Sequence, residues 1–449
     1  MKKIYLLIVV FFSSLVSLKA QNACQNANFS MGNFTNWIGR TGTCCPINTP
    51  TVGIVPGRHT IMTPGTDPVT GNQLQLVPPG YNFSARLGNN GTGAQGEALQ
   101  YSFLVSPANA LFIYNYAVVL EDPGHTPAQQ PRFELRVMDA GGNTIPCTFY
   151  QVAAAGSIPG FQNFGAVRWK NWTQVGVDLS SYTGQIVTIE ARSGDCSLGG
   201  HFGYGYIVGD CRPLEIVVQY CLGDTSALLI APSGFQSYQW SDGVGIVGTD
   251  DTLVIYNPVP GQQNYSCTIT SVTGCSATLT TLINPIIPLS GFLSDYVCNN
   301  TLNFTDTSLV YQDIINSWNW DFGDGNQSTA QNPSHTFPDS GWYNVSLHVQ
   351  TAVGCVDDIV MPVYVEANPE ADFSVPDSCS FTRVFTDLSN VFSGNNLTNW
   401  NWNFGDASTS NMQNPTHTYP SNGSYTVTLT VTDDEGCTSS ISHPVVINP

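Results

Sequence analysis

An internal repeat constrains the fold of this chain more than any other feature. The segment SWNWDFGD at 317–324 matches NWNWNFGD at 399–406, so that Trp318 corresponds to Trp400, 82 positions later. The same offset relates NPSHTF at 332–337 to NPTHTY at 414–419. Because a repeat of this length corresponds to one structural unit, the sequence predicts two similar modules in series.

Each copy of the repeat carries the pattern of short strands. In Tyr425–Val431, YTVTLTV, apolar residues alternate with threonines, which predicts a strand with one buried face. About seven strands in about 80 residues predict a β-sandwich. The composition agrees, because 42 Gly and 28 Pro favour turns and strands over helices.

The repeated motifs resemble the hallmark of the PKD domain family, W-x-W-x-F-G-D-G followed by N-P-x-H-x-[YF] and G-x-Y-x-V-x-L. The resemblance implies two immunoglobulin-like sandwiches, at 290–366 and 370–448. The second copy departs from the motif at Asn403 and Ala407, where the family usually has Asp and Gly. Tandem domains of this kind are typical of secreted and cell-surface proteins of Bacteroidota.

Cysteine spacing extends the repeat upstream. Trp240 precedes Cys275 by 35 positions, the spacing found between tryptophan and cysteine in both PKD copies, which predicts an Ig-like module at 214–285. The periodic cysteines predict one disulfide within each module. The sequence Tyr265-Ser266-Cys267 resembles a tyrosine corner and favours Cys221–Cys267 as an alternative to the first pair. The predicted disulfides are Cys221–Cys275, Cys298–Cys355 and Cys379–Cys437.

The N-terminus predicts export. Lys2 and Lys3 precede an apolar run, Ile4–Leu18, and a small residue, Ala20, which together indicate a signal peptide at 1–20. The run is shorter than the roughly 20 residues of a membrane span. We therefore expect a secreted or cell-surface protein with no membrane span in the mature chain. Its 13 cysteines are expected to form mainly disulfides.

Residues 22–212 contain no copy of the repeat. Strand-like runs such as Ala98–Val105 and Leu111–Leu120, separated by Pro- and Gly-rich turns, predict a sandwich. The segment Asn28–Trp37 resembles the start of secreted jelly-roll modules. The predicted fold class is therefore all-β, with tandem β-sandwiches: a jelly-roll-like domain, one Ig-like module and two PKD domains. The six cysteines of residues 22–212 allow 15 pairings, so their connectivity stays open.

Charge is distributed unevenly along the chain. The formal net charge is −19, which argues against a nucleic-acid partner. Residues 22–212 hold nine basic and ten acidic side chains, whereas 22 acidic residues and one basic residue, Arg383, follow position 212. Recognition is therefore predicted in the nearly neutral N-terminal domain, with an acidic stalk behind it.

Two groups of residues in the N-terminal domain are candidates for ligand binding. His59, His125 and His201 occupy loop-like contexts, and imidazoles beside a carboxylate are able to bind zinc or exchange protons. Aromatic rings stack on sugars while polar neighbours bind hydroxyl groups. Structural roles, in hydrogen bonding and in the core, are the alternative for both groups. The predicted ligand-binding residues are Trp169, Lys170, Trp172, Asp122, His125 and His201.

In the first PKD copy, Asp321 and Asp324 lie in a Gly-rich turn and offer the oxygen ligands that calcium prefers. Turn capping is the alternative role for these carboxylates. Apart from this structural calcium, no cofactor is expected. The sequence contains no G-x-S-x-G or HExxH motif that would indicate a hydrolase or a zinc protease.

These observations predict a non-enzymatic, exported cell-surface protein for binding or adhesion. Its N-terminal domain would recognise a glycan or a protein on a surface, and the Ig-like and PKD modules would display it. A secreted hydrolase or metal-dependent enzyme with accessory PKD domains is the first alternative, and a structural spacer is the second. A cleft that gathers His59, His125 and His201 would favour the enzyme, whereas an aromatic shelf would favour the binding protein.

Overall fold

The computed structural model describes residues 24–261, 264–391 and 395–448, so the signal peptide predicted at 1–20 lies outside the described residues. The chain divides into two compact units. One comprises the residues up to Val218 together with Thr225–Asn284, and the other comprises Gln219–Asp224 and the residues from Pro285 onward. Regular structure in the described residues is confined to β-strands and short 3-10 helices, which confirms the all-β prediction.

The N-terminal domain begins the first unit. Its strands are β1 (Trp37–Thr43), β2 (Asn48–Val52), β3 (His59–Met62), β4 (Ser84–Leu87), β5 (Gln95–Leu104), β6 (Leu111–Glu121), β7 (Arg132–Met138), β8 (Tyr150–Ala153), β9 (Gln162–Phe164), β10 (Val167–Asp178), β11 (Ile186–Gly194) and β12 (Gly203–Arg212). Short 3-10 helices are formed by Pro68–Thr70, Pro107–Asn109 and Ser180–Tyr182.

Two antiparallel sheets make this domain a sandwich. Their strand orders are β2-β1-β5-β11-β7-β8 and β3-β4-β12-β6-β10-β9. Apolar side chains from both sheets form one core between them, and Leu99 of β5, Phe112 of β6 and Phe133 of β7 are fully buried there. Strand β6 is buried on both faces, because a second apolar cluster around Trp169 covers its outer side.

The Ig-like sandwich completes the first unit. Its strands form sheets of order β13-β14-β17 and β16-β15-β18-β19, and Trp240 is fully buried among them. The strands are β13 (Val217–Gln219), β14 (Ser226–Ile230), β15 (Ser237–Ser241), β16 (Ile246–Gly248), β17 (Thr252–Tyr256), β18 (Asn264–Thr270) and β19 (Ser276–Leu282).

The second unit holds two sandwiches that repeat the same arrangement. Trp320 and Trp402 are fully buried, and their indole nitrogens donate to the carbonyls of Ala330 and Met412, each at 2.9 Å. The first sandwich contains β20 (Phe292–Cys298), β21 (Thr301–Asp306), β22 (Ile315–Asp321), β23 (Gln327–Ser328), β24 (Ser334–Thr336), β25 (Gly341–Thr351) and β26 (Val356–Val365).

The strands of the last sandwich follow the same order along the chain. They are β27 (Phe373–Ser374), β28 (Thr382–Val384), β29 (Thr386–Asp387), β30 (Leu397–Asn403), β31 (Thr409–Ser410), β32 (Thr416–Thr418), β33 (Gly423–Asp433) and β34 (Thr438–Ile447). In both sandwiches the tryptophan-bearing strand sits in a four-stranded sheet, β23-β22-β25-β26 or β31-β30-β33-β34.

The structure pairs the repeat cysteines differently from the prediction. All three predicted disulfides, Cys221–Cys275, Cys298–Cys355 and Cys379–Cys437, are absent from the described residues, as is the alternative Cys221–Cys267. Each repeat cysteine that is bonded pairs with a cysteine outside its predicted module. The observed disulfides are Cys147–Cys275, Cys221–Cys355 and Cys298–Cys437, with Cys24–Cys211 and Cys44–Cys45 in the N-terminal domain.

The length of β26 explains the error in the first PKD domain. Cys355 immediately precedes this ten-residue strand, whereas Cys298 lies near its far end, where the Asn299 amide donates to Asn368 Oδ1 at 2.8 Å. A strand of ten residues extends for about 30 Å, and disulfide-bonded Cα atoms lie within about 7 Å of each other. The two cysteines of one sandwich are therefore too far apart to bond.

Candidate functional site

Two loops meet at one end of the N-terminal sandwich. The first follows β6 and runs through Asp122 and His125, and the second connects β11 to β12. The Ser197 amide donates to the Gln129 carbonyl at 3.1 Å, which ties the second loop to the first. The first loop contains Gly124 and three prolines, and the second contains Gly199 and Gly200, so the strands end here and polar side chains gather beside them.

A histidine–cysteine cluster, formed by His125, Cys196 and His201, occupies the contact between these loops. His125 Nδ1 lies 3.2 Å from Cys196 Sγ, and the two imidazole rings stand edge to face with centroids 5.2 Å apart. One ligand atom from each residue lies within 4.8 Å of the others. Cys196 is a buried free thiol, and the buried His201 Nδ1 has no hydrogen-bond partner among the described residues.

This cluster has the donor set of a borderline-soft cation. Zn²⁺ binds imidazole nitrogen and thiolate sulfur in tetrahedral geometry, and three protein ligands leave a fourth position for water or a ligand. The Cys196 thiol would lose its proton on binding such an ion. One ring nitrogen of His201 would be the third protein ligand of such an ion.

The carboxylates beside the cluster are already engaged. Asp122 accepts from the Gly124 amide and from Gln130 Nε2, and it lies 3.5 Å from the Arg168 guanidinium. Asp195 accepts from the Gln95 and Gly203 amides, each at 3.1 Å, and burial raises its pKa to about 6. The cluster therefore offers nitrogen and sulfur ligands, with its nearest acidic neighbours bound to the protein.

The structure brings only two of the three predicted histidines together. His59 is buried in the sandwich, where its ring accepts from the Val55 amide and contacts the Ala98 carbonyl, each at 3.1 Å. Burial lowers its pKa, and Nδ1 carries no proton because it accepts the Val55 hydrogen bond. Cys196 takes the third place, and sequence reasoning missed it because cysteines of an exported protein were expected in disulfides.

The aromatic candidates lie on β10, away from a common surface. Trp169 is 2% exposed and packs against Tyr204 and Tyr206, which makes it a core residue rather than a stacking platform. Trp172 is half-buried and donates to the Gln75 carbonyl at 2.7 Å. Trp169 and Trp172 therefore do not form an exposed aromatic shelf.

Lys170, also on β10, contacts two tyrosines of other strands, Tyr116 of β6 and Tyr150 of β8. Its Nζ donates to the Tyr116 hydroxyl at 3.0 Å and lies 5.1 and 5.3 Å from the ring centroids of Tyr116 and Tyr150. Burial lowers the pKa of Lys170. The ammonium group is thus held by hydroxyl and ring contacts within the domain.

A buried polar network on the outer side of the second sheet has no signal in the sequence. Asp67 Oδ2 accepts hydrogen bonds from the hydroxyls of Tyr204, at 2.8 Å, and Tyr206, at 2.9 Å, and all three residues are at most 2% exposed. Asp67 Oδ1 accepts from the Val69 amide and caps a 3-10 helix. The spacing of 137 residues between Asp67 and Tyr204 gives no local signal for this contact.

The acidic pair predicted to bind calcium is bonded to protein donors. Asp321 accepts from the Gly323 amide at 2.9 Å, which caps the turn. Asp324 accepts from the Asn326 amide and side chain and pairs with His335 Nε2 at 2.8 Å. The second PKD domain has the same pairing, between Asp406 and His417, at 2.8 Å. A calcium ion at Asp321 and Asp324 stays a prediction.

Comparison with known families identifies the two C-terminal sandwiches. The family model named PKD domain matches residues 284–367 and 359–448. The chain therefore contains two PKD domains, as the repeat predicted. A microbial collagenase of Vibrio alginolyticus is 55% identical over 47 residues, which make up 10% of this chain and 6% of the collagenase. The chain thus spans a small part of that relative's length.

Solved structures give further matches. The PKD1 domains of Vibrio anguillarum Epp and of the Vibrio cholerae metalloprotease PrtV are 28% and 32% identical. Each match covers 18% of this chain, with 96% and 99% of the respective domain and a TM-score of 0.18. The three N-terminal domains of the bacteriophage RB49 outer capsid protein Hoc are 12% identical, with 52% and 98% coverage and a TM-score of 0.32.

These findings define a class of protein. Tandem β-sandwiches with two PKD domains, stabilised by disulfides of the kind formed in oxidising compartments, make this a multidomain extracellular protein. Among the residues that the structure describes, no helix has the length and apolar character needed to cross a bilayer.

Proposed function

We propose that the protein is a non-enzymatic, exported cell-surface binding or adhesion protein whose N-terminal domain recognises a glycan or a protein. The supporting observation is the convergence of three predicted ligand residues, Asp122, His125 and His201, at one loop end of the sandwich. Binding residues commonly lie on loops that a rigid β-scaffold positions.

The polar side chains of the PKD domains differ from those at the loop end of the N-terminal domain, and this difference supports the proposal. Their repeated polar side chains bond within their own sandwich, as in the Trp318 indole to Asp306 contact at 2.8 Å and the His335 to Asp324 pair. The N-terminal loop end differs, because the buried His201 Nδ1 has no hydrogen-bond partner among the described residues and Cys196 is in no disulfide. The acidic modules would keep this domain soluble and repel neighbouring chains.

The non-enzymatic assignment rests on the chemistry around the cluster. A carboxylate that acts as a general base must be free to reach the proton that it removes. Here the Asp122 and Asp195 carboxylates are occupied by an arginine, a glutamine side chain and backbone amides. The imidazoles of His125 and His201 suit hydrogen bonds to the hydroxyl groups of a sugar.

A glycan array probed with the full chain tests the proposal. We expect the wild-type chain to bind a defined set of glycans and the variant H125A/H201A to lose at least tenfold in affinity. The matched control is His348→Ala, which removes an exposed histidine of the first PKD domain and should leave binding unchanged. Equal binding by all three chains, or turnover of a bound glycan, would contradict the proposal.

The histidine–cysteine cluster favours a second candidate, a metal-dependent enzyme with accessory PKD domains. Under this hypothesis His125, Cys196 and His201 hold a zinc ion, and its fourth position activates a water molecule. Loading with Co²⁺ should give a thiolate charge-transfer band that Cys196→Ser abolishes and Cys267→Ser preserves. Hydrolysis of a polysaccharide by the zinc-loaded chain would favour the enzyme, whereas metal binding without turnover would leave the binding protein. If the chain bound neither a glycan nor a metal ion in these experiments, the structural-spacer hypothesis would be favoured.

A further inference from the structure

The disulfides of the second unit follow a positional rule. Cys298 lies where the chain leaves the first PKD domain, because the neighbouring Asn299 amide and the Tyr296 hydroxyl both bond Asn368 of the outgoing linker. Its partner Cys437 follows Gly436 in the turn before β34. One cysteine therefore marks the exit of a module, and the other marks a Gly-Cys turn.

The Gly-Cys turns lie where the chain enters a module. Beside Cys437, the Ser439 hydroxyl accepts from the Ala371 amide at 3.2 Å, at the start of the second PKD domain. Beside Cys355, the Asp357 carboxylate accepts from the Ser290 amide at 2.7 Å, at the start of the first. Both turns thus occupy the same end of their sandwich.

The disulfide Cys221–Cys355 obeys the same rule within the second unit. Cys221 forms a bridge with Ile286, and the Ile286 amide donates to the Tyr220 carbonyl at 2.7 Å, so this cysteine also adjoins an outgoing linker. The Cα atoms of the two pairs are 5.3 and 5.4 Å apart. An exit cysteine bonded to the following Gly-Cys turn is thus a repeated feature of the fold.

Cys379 occupies the exit position of the second PKD domain. Cys298 stands three residues before Thr301, whose hydroxyl contacts Thr336 at 2.7 Å, and Cys379 stands three residues before Thr382, whose hydroxyl contacts Thr418 at 2.8 Å. Unlike its counterpart, Cys379 is an exposed free thiol. The other two free cysteines, Cys196 and Cys267, are fully buried.

A second observation at this position points to a partner. Cys379 lines a cavity of about 330 Å³ together with Asp377, Ser378, Arg383, Val446 and Asn448. Arg383 is 4% exposed, and its Nε has no hydrogen-bond partner among the described residues, although its terminal nitrogens bond Ser378 and Val446. Arg383 is also the single basic residue after position 212.

The charge of Arg383 complements the Gly-Cys turns of the two PKD domains. The turn of Cys437 reads DDEGC at 433–437, and Cys355 is followed by Asp357 and Asp358. A guanidinium group bonds carboxylates with favourable geometry and charge. A turn of this composition would therefore place acidic groups beside the one cation at the exit of the second PKD domain.

We propose that Cys379 is the covalent attachment site for a further Ig- or PKD-like module, which it binds through an acidic Gly-Cys turn. The three Gly-Cys turns of this chain, at Cys275, Cys355 and Cys437, are already bonded, so the partner is a module beyond these three. In the reaction, the two thiols lose two protons and two electrons and form one S–S bond. A disulfide oxidant, such as oxidised glutathione, accepts both and becomes two thiols.

An extended chain tests this attachment directly. A second copy of residues 367–448 is appended after Pro449, with the copy's counterpart of Cys379 changed to Ser. The natural chain has three free thiols, and the copy adds one, the counterpart of Cys437. After oxidation with glutathione, we expect two free thiols instead of four in the denatured chain. Mass spectrometry of non-reduced peptides should identify the bond from Cys379 to the copy.

Two controls complete the extended-chain experiment. Cys379→Ser in the extended chain should leave the copy's cysteine reduced, with three free thiols. Near-ultraviolet circular dichroism should report the added tryptophan environment of a folded copy. Four free thiols in an extended chain with a folded copy, or a bond from the copy to a cysteine other than Cys379, would overturn the proposal.

If the appended copy of residues 367–448 does not fold, a measurement on the natural chain tests the same proposal. The peptide DDEGCT and its neutral counterpart NNQGCT are offered as mixed disulfides to the full chain. At low ionic strength Cys379 should react several-fold faster with the acidic peptide, and added salt should remove the difference. Equal rates for the two peptides at low salt would refute the recognition of an acidic turn.

Discussion

The Asp67 carboxylate is the acceptor on which the outer face of the N-terminal sandwich depends. It accepts both tyrosine hydroxyls of strand β12, from Tyr204 and Tyr206, and it caps the adjoining 3-10 helix through Val69. Burial raises the pKa of each tyrosine well above its ordinary value, so both remain donors. The change Asp67→Ala removes the acceptor and leaves two buried hydroxyls unpaired.

The magnitude follows from the number of orphaned groups. Each buried hydroxyl left without a partner costs about 1–3 kcal/mol, and the lost cap adds about 1 kcal/mol. We expect Asp67→Ala to lower the local stability by about 4 kcal/mol. Because every 1.4 kcal/mol is tenfold in an equilibrium constant, the opening of β12 should increase by nearly a thousandfold.

Hydrogen exchange of peptides covering Gly203–Arg212, followed by mass spectrometry, measures this opening within one domain of the long chain. The matched variant D67A/Y204F/Y206F removes donors and acceptor together, and it should recover most of the lost protection. A fall in protection of less than tenfold in Asp67→Ala would refute the reasoning. The same would follow if the triple variant were no better protected than the single one.

Further predictions concern the first PKD domain. Burial acts to raise the pKa of Asp324, but hydrogen bonds from His335 and Asn326 outweigh it and hold the pKa below its ordinary value. Its contribution to stability is therefore present above about pH 4 and lost as the pH falls through the lowered pKa of the folded state. Calorimetry between pH 6 and pH 2 should show a smaller acid-induced fall in melting temperature for Asp324→Asn than for the wild type. In the core, Trp320→Ala should cost about 3–5 kcal/mol. By contrast, Trp342→Ala, at a 70% exposed position, should change stability by less than about 0.5 kcal/mol in urea titrations.

The PKD modules could be predicted from the sequence because the motifs that identify them are local. The motif around Trp318 and Trp320 fixes a strand, a turn and a buried indole within a few residues, and the repeat makes the assignment twice. Alternation also predicted the strands correctly, since its period matches the pleat. The buried position of Trp169 escaped prediction, because the segment that covers it, around Leu74, is almost a hundred residues away.

The candidate site was predictable only in part, for a similar reason. Loop contexts indicated His125 and His201, but no local pattern showed that their loops meet, or that His59 turns inward to the Ala98 carbonyl. The pairing of cysteines depends on which end of a strand each one occupies. The repeat assigned Cys355 to the correct module, but it did not show that the cysteine bonded to Cys355 lies in the preceding module.

The direction of the disulfides has a physical basis in the second unit. Each PKD sandwich already buries a tryptophan and a set of aromatic rings, so its core provides cohesion without a disulfide. A junction between modules lacks such a core, and interfaces within a chain are typically small and permit relative motion. A covalent bond therefore contributes most where Cys298 and Cys437 are found, at the junction. By this reasoning, an exit cysteine is not needed to stabilise its own sandwich, because the core of that sandwich is already well packed. The exposed thiol of Cys379 is therefore the position at which a disulfide to a further module would form.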